Sequence, residues 1–156
     1  MNEPISPSVG WGVIHLFCQP TAALDRDAIV VAVKATEVAG HQVVCASLLG
    51  HKADFCIMAV GPDWRELRRL QSGLQAAGVA IVHSYVSLTE VSEYAKGAPE
   101  AMLHARLYPQ LPPEGKPAFC FYPMSKKREF QANWFTLPFE DRHELMLEHG
   151  KSGRTF

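Results

Sequence analysis

The chain has 156 residues, of which 47% are hydrophobic and 20% are charged, and its formal net charge is −1. This length can bury the core of one domain, or of one domain and part of another, and the balanced charge does not favour binding to nucleic acid or to an anionic membrane. No apolar run approaches the roughly 20 residues of a membrane span, and residues 1–10 form a tail without the features of a signal peptide, so we expect a cytoplasmic protein.

The first half of the chain alternates strands and helices. Residues 11–19 and 42–49 are apolar runs rich in strand-forming side chains, and they predict two strands. Between them, residues 25–39 carry an apolar stripe that follows two aspartates and ends at a glycine, which predicts a helix.

A very short turn follows the second strand. Residues 50–52 read Gly-His-Lys, and residues 53–60 predict a third strand. Because a parallel crossover needs about a dozen residues or more, these two strands are expected to form an antiparallel hairpin. Asp63 is placed to cap the next helix, which should end near Gly78.

Residues 79–88 predict a fourth strand and complete the order β-α-β-β-α-β. This is the ferredoxin-like arrangement of an α+β protein, and it implies no particular activity. We assign it to residues 11–107, with residues 90–110 helical or irregular. The proline-rich residues 108–117 predict an extended linker and a domain boundary.

The segment after this linker, residues 118–156, carries the candidate chemistry. A strand through FCFYPMSKK would place four side chains on one face, namely Cys120, Tyr122, Met124 and Lys126. This face passes from a thiol and a phenol to a thioether and an ammonium, which suits a flat apolar ligand with anionic edges. A strand that runs from a protein core out into solvent would show the same pattern. The spacing alone therefore does not distinguish a ligand-binding face from an ordinary structural strand.

A helix is predicted to begin near Leu137 and to end at Gly150. It would place His149 on the same face as Leu145 and Met146. A histidine in such a position is more often structural or exposed than a metal ligand, and no second histidine lies at ligand spacing. A metal ion bound by His149 would need to arrive with most of its other ligands already in place, as the iron of haem does.

The motifs FYPMSKKR, NW and RHELMLEHGKSGR, with 27 residues from Tyr122 to His149, resemble the chlorite dismutase superfamily, and within it the coproheme decarboxylases. The first two thirds of the chain match only in architecture and in RLYPQLP. The resemblance implies a protein of the dimeric α+β barrel superfamily with two ferredoxin-like halves, haem in the C-terminal half, and homo-oligomeric rings, commonly pentamers. Residues 118–156 would then hold the first strand and helix of an incomplete second half, so we expect a truncated chain.

The resemblance also implies roles for individual residues. His149 resembles the proximal iron ligand, Tyr122 the tyrosine whose radical attacks a porphyrin propionate, and Lys126 the basic partner near that propionate. Met124 is similar to a pocket contact. Arg106 is similar to an arginine that pairs with a propionate, a task for which its planar guanidinium is suited.

The implied reaction is the decarboxylation of two propionates of iron coproporphyrin III (coproheme) by hydrogen peroxide, which yields haem b. The porphyrin is then both substrate and cofactor. A chlorite-decomposing haem enzyme and a non-catalytic haem-binding or assembly subunit remain open as alternatives. The family's distal residue would lie beyond this chain, and His104 is a less favoured distal candidate.

The four cysteines are widely spaced, and each lies in an apolar run: Cys18, Cys45, Cys56 and Cys120. The absence of a Cys-x-x-Cys pair argues against a zinc site. We interpret all four as reduced thiols packed in strands, and we leave open a redox role for Cys120.

Overall fold

A computed structural model describes residues 3–95 and 97–153. Contacts between residues divide the chain into two units. The first unit runs to Val91 and resumes over Gly97–Pro117, and the second consists of a short segment from Ser92 and of the chain from Ala118 onward. Within the described ranges, no helix is long and apolar enough to cross a bilayer.

The first unit is built on a four-stranded antiparallel sheet. Its elements are β1 (Gly12–Pro20), α1 (Arg26–Val38), β2 (Gln42–Ser47), β3 (Phe55–Gly61), α2 (Trp64–Ala76), β4 (Val79–Leu88) and α3 (Glu100–Leu107). The strand order in the sheet is β2-β3-β1-β4, and every neighbouring pair is antiparallel. The structure therefore confirms the predicted ferredoxin-like α+β unit and the hairpin between β2 and β3.

The core of the first unit lies between the sheet and the two long helices. Its largest buried side chains come from β1, β3 and α2, and they include Leu16, Ile57, Leu67, Leu70 and Leu74. The leucines of α2 recur at the spacing of one helix face. Complete burial of each such side chain stabilises the fold by about 1.5–3 kcal/mol.

Two of the four cysteines belong to this core. Cys18 and Cys56 are buried, and burial raises the pKa of Cys18 to about 12 and the pKa of Cys56 to about 11. The prediction of packed thiols is wrong for Cys45 and Cys120, which are exposed. Cys45 lies on β2, which has a neighbouring strand on one side only, and Cys120 lies outside any strand.

Asp63 is the N-cap residue of α2, as predicted. Its carboxylate accepts hydrogen bonds from the backbone N–H of Arg65 at 2.9 Å, from Nη2 of Arg65 at 2.8 Å and from the backbone N–H of Ile5 at 3.3 Å. These bonds, above all those from the Arg65 side chain, hold the pKa of Asp63 well below its ordinary value. The backbone N–H of Asp63 in turn donates to Nε2 of His41, 3.2 Å away, and this bond joins the start of α2 to the turn between α1 and β2.

We expect Asp63→Ala to lower the free energy of unfolding by about 1–2 kcal/mol at neutral pH, because the helix loses its cap. A carboxyl whose folded pKa is lowered stabilises the fold above its unfolded pKa of about 3.9, and this contribution disappears as the pH falls towards the folded value. Urea unfolding of both proteins at neutral pH and at about pH 3 checks this. The difference between them should shrink in acid, and a constant difference would assign the effect to packing instead of charge.

The second unit contains the short strands β5 (Arg128–Glu129) and β6 (Ala132–Asn133), a 3₁₀ turn at Trp134–Thr136, and the helix α4 (Phe139–Ser152). The strand predicted after residue 118 is wrong, because residues 118–127 have no regular secondary structure. A strand needs a hydrogen-bonded neighbour, and within the described residues the second unit has no strands other than the β5–β6 pair.

The predicted helix is present, but it does not end at Gly150. Gly150 lies inside α4, which continues to Ser152 and has Gly153 as its C-cap residue. Gly150 does not adopt the left-handed conformation with which glycine ends a helix. The sequence pattern therefore placed the end of this helix too early.

Candidate functional site

The segment that precedes β5 presents the predicted site residues to solvent. Phe119 and Phe121 are half-buried, whereas the four residues at alternate positions are exposed, namely Cys120, Tyr122, Met124 and Lys126. The exposed fraction is 71% for Tyr122 and 69% for Met124. The predicted set therefore remains accessible to a ligand although no strand forms.

Lys126 connects this segment to α4. Its Nζ lies 4.1 Å from the centroid of the Trp134 ring and 3.7 Å from Sδ of Met146. The first is a cation–π contact and the second a weak hydrogen bond to a thioether. Because Met146 and His149 are three residues apart on the helix, they are neighbours on its surface. The structure thus brings Lys126 to the side of α4 that carries His149.

His149 lies near the C-terminal end of α4, and its side chain is exposed. In the described ranges, no group of three or more His, Cys, Asp or Glu side chains could hold a metal ion. A metal at His149 would therefore have to bring its other ligands, and an iron porphyrin does so. The accessible imidazole of His149 fits that requirement.

The second unit also exposes many large apolar side chains: Phe130, Phe135, Leu137, Phe139, Leu145 and Leu147. Cationic side chains occur among them, and the guanidinium carbon of Arg128 lies 4.3 Å from the centroid of the Phe135 ring. Exposed apolar surface of this kind is typical of a surface that binds a ligand or another protein. The mixture of apolar side chains and cations fits a flat apolar ligand with carboxylates at its edge.

Arg106 and His104 belong to the first unit, where both lie on α3. Arg106 is exposed in the last turn of that helix, and it takes part in none of the ion pairs found among residues 3–95 and 97–153. The ring of His104 packs on that of Tyr108, with the centroids 4.8 Å apart. The guanidinium of Arg106 thus remains available to an anionic group.

Sequence reasoning missed the contacts that Trp134 makes. The Asn133-Trp134 pair was part of the motif, but its spacing gave no sign that the indole ring would lie under Lys126. It also missed Glu93 and Tyr94, which contact Arg142 of α4 from nearly 50 residues earlier in the chain. No short sequence pattern indicates contacts between residues that lie so far apart in the chain.

Comparison with known proteins shows the family to which this chain belongs. The sequence profile of the family described as chlorite dismutase matches residues 22–156. The chain belongs to the chlorite dismutase family. The fold, the motif and the profile thus agree on one family.

Two solved structures of the family's fold are similar to the chain. A haem-binding protein from Thermus thermophilus, whose function was identified from its structure, shares 28% sequence identity at a TM-score of 0.75, over 98% of this chain and 71% of that chain. A mutant chlorite dismutase from Candidatus Nitrospira defluvii has 16% identity and a TM-score of 0.55, over 93% of this chain and 65% of that chain, and it shows the fold alone. This chain therefore spans roughly 65–71% of the length of these relatives.

Proposed function

We propose that this protein binds an iron porphyrin and acts as a coproheme decarboxylase. It would convert two propionates of iron coproporphyrin III to vinyl groups with hydrogen peroxide, and the product would be haem b. The observation that carries the proposal is an exposed Tyr122 in the same unit as Lys126, whose ammonium reaches α4 beside His149. Family membership and the haem-binding relative support a porphyrin ligand, and a homo-oligomer, pentameric by resemblance, belongs to the same proposal.

Each candidate residue has a role that matches its chemistry. The imidazole of His149 would be the axial ligand to the iron. The ammonium of Lys126 and the guanidinium of Arg106 would bind propionate carboxylates, with the guanidinium able to do so bidentately. The flexible thioether of Met124 would pack against the porphyrin.

Tyr122 would carry out the step on the propionate. The bound iron porphyrin supplies the redox chemistry through which peroxide oxidises this residue. Having lost its phenolic hydrogen, Tyr122 takes a hydrogen atom from the propionate side chain, which restores the phenol. Loss of a second electron then breaks the bond to the carboxylate, and carbon dioxide leaves a vinyl group. Each propionate thus consumes one peroxide and one proton and releases one carbon dioxide and two waters.

The first test is a titration of the chain with ferric coproporphyrin III, followed at the Soret band. We expect a saturable shift in the wild type and its loss in His149→Ala, because alanine offers the iron no ligand. The matched control is His51→Ala, which removes an exposed imidazole from the first unit and should leave the shift unchanged. A shift of equal size in His149→Ala would remove this residue as the iron ligand.

Two other functions are compatible with the same family. A chlorite-decomposing haem enzyme is supported by the family assignment itself, and oxygen evolution from chlorite would favour it. A non-catalytic haem-binding subunit is supported by the haem-binding relative from Thermus thermophilus. Porphyrin bound without carbon dioxide release on addition of peroxide would favour that second function.

A further inference from the structure

A short segment between β4 and α3 holds the first turns of α4 in the second unit. Nη1 of Arg142 donates hydrogen bonds to Oε1 of Glu93 at 2.8 Å and to the phenolic oxygen of Tyr94 at 3.0 Å. The Arg142 side chain is only 19% exposed. Because most of this cation is shielded from water, its ion pair is stronger than a fully exposed pair. We refer to Glu93, Tyr94 and Arg142 as the α4 clamp.

The ring of Tyr94 adds packing to these polar contacts. It stacks on Phe139 with the ring centroids 5.6 Å apart and on His143 with the centroids 6.3 Å apart, and the planes differ by 16° and 9°. Trp134 meets the same ring edge-on at 6.3 Å. The guanidinium carbon of Arg142 lies 5.8 Å from the centroids of both Tyr94 and Phe139. Glu93 and Tyr94 therefore contact three residues in the first turns of α4, namely Phe139, Arg142 and His143.

Within the described residues, neither a side-chain cap nor a buried residue anchors the start of α4. Its N-cap residue is Pro138, which provides no side-chain hydrogen bond, and none of the residues of this helix is buried. The contacts of the clamp thus fasten the first turns of α4 to residues 92–95. Arg142 precedes His149 by seven residues, which is about two turns, so both lie on one side of the helix, roughly 10 Å apart along its axis.

We propose that Glu93, Tyr94 and Arg142 position α4 and, through it, the imidazole of His149. They are positioning residues, since their contacts are with one another, with Trp134 and with the first turns of α4. The placement of α4 is a property of the porphyrin-free chain, and only the identity of the group that His149 binds rests on the proposed function. The clamp also explains why residues 92–95 belong to the second unit although the chain on both sides of them belongs to the first.

The first experiment uses the porphyrin-free chain. Glu93→Gln removes the ion pair at nearly constant size, and Tyr94→Leu removes the ring stack. Hydrogen exchange across α4 and the NMR signals of the His149 ring are compared with those of the wild type. We expect the α4 amides to exchange about threefold to tenfold faster in each variant and the His149 signals to move, while the amides of β1 and β3 keep their rates.

The matched control is Glu129→Gln. It breaks another ion pair of the second unit, in which Nζ of Lys127 lies 3.4 Å from Oε2 of Glu129, and it should leave both α4 and the His149 signals unchanged. Unchanged exchange in Glu93→Gln and Tyr94→Leu would overturn the proposal. Equal acceleration in α4 and in the sheet would also overturn it, because the residues would then stabilise the chain without positioning the helix.

The second experiment adds ferric coproporphyrin III at saturation and records the electron paramagnetic resonance spectrum. We expect Glu93→Gln to bind porphyrin with an altered axial signature and Arg142→Lys, which keeps the charge, to show a smaller change. An unaltered spectrum in a variant with faster α4 exchange would disprove the link to His149. If the wild type binds no porphyrin, the proposed function fails, and the porphyrin-free results alone decide the positioning of α4 and His149.

Discussion

Replacing Tyr122 with phenylalanine should abolish propionate loss while porphyrin binding remains largely intact. Phenylalanine fills the same space but has no phenolic hydrogen to give up, so the oxidation of the propionate has no side chain through which to proceed. We expect the rate of decarboxylation to fall at least about 100-fold, which is the usual scale of the effect when a catalytic side chain is removed. The measurement is mass spectrometry of the porphyrin after peroxide addition, where each propionate converted loses one carbon dioxide and two hydrogens.

The matched control for this experiment is Tyr108→Phe. Tyr108 belongs to the first unit, where its hydroxyl accepts a hydrogen bond of 3.4 Å from the backbone of Gly10 and its ring packs against Trp11. Removal of this phenol should leave decarboxylation unchanged. If the Tyr122→Phe protein turned over like the wild type, Tyr122 would have no part in the mechanism.

Replacing Gly78 with alanine is expected to destabilise the first unit strongly. Gly78 follows α2 with a φ of +80°, which alone costs an alanine about 1–2 kcal/mol. A Cβ there would lie 2.6 Å from the carbonyl carbon of Ala23 and 2.8 Å from the backbone nitrogen of Leu24. This neighbouring turn cannot move away easily, since Thr21 donates from its backbone N–H and its hydroxyl to the Gly78 carbonyl at 3.1 and 2.7 Å.

We therefore expect Gly78→Ala to lower the free energy of unfolding by roughly 2–5 kcal/mol in urea denaturation. Gly40→Ala is the matched control, because Gly40 has a φ of +84° and no atom within 4 Å of the added carbon. Gly40→Ala should lower the free energy of unfolding by only about 1–2 kcal/mol. The difference between the two variants measures the close approach of the chain at Gly78. An equal decrease in the free energy of unfolding of both variants would show that the turn at Ala23 can move aside without an energetic penalty.

The elements of the first unit could be predicted because their signals are local. The fourth strand was predicted at residues 79–88 and is observed as Val79–Leu88. Asp25 was placed at the start of the first helix, and its carboxylate does accept hydrogen bonds from the backbone N–H groups of Asp27 and Ala28. Caps, turns and side-chain periodicity depend on residues a few positions apart, so one sequence is enough to recognise them.

The second unit was predicted less well, for a physical reason. The alternation from Cys120 to Lys126 has the period of a strand, but period alone supplies no neighbouring strand to receive the backbone hydrogen bonds. The four side chains at alternate positions are all exposed, but the strand that was predicted to carry them does not form. Their catalytic roles remain predictions that the variants above test.

By itself, the sequence determined the order of helices and strands in the first unit, the helix caps, and the chemical set of a phenol, an ammonium and an imidazole in the second. The tertiary structure decided the sheet order β2-β3-β1-β4, the contact of Lys126 with Met146, and the clamp between Glu93 and Arg142. The second group consists of contacts between residues far apart in the sequence. Such contacts form when elements pack together, and packing depends on shape and burial that no short pattern of residues encodes.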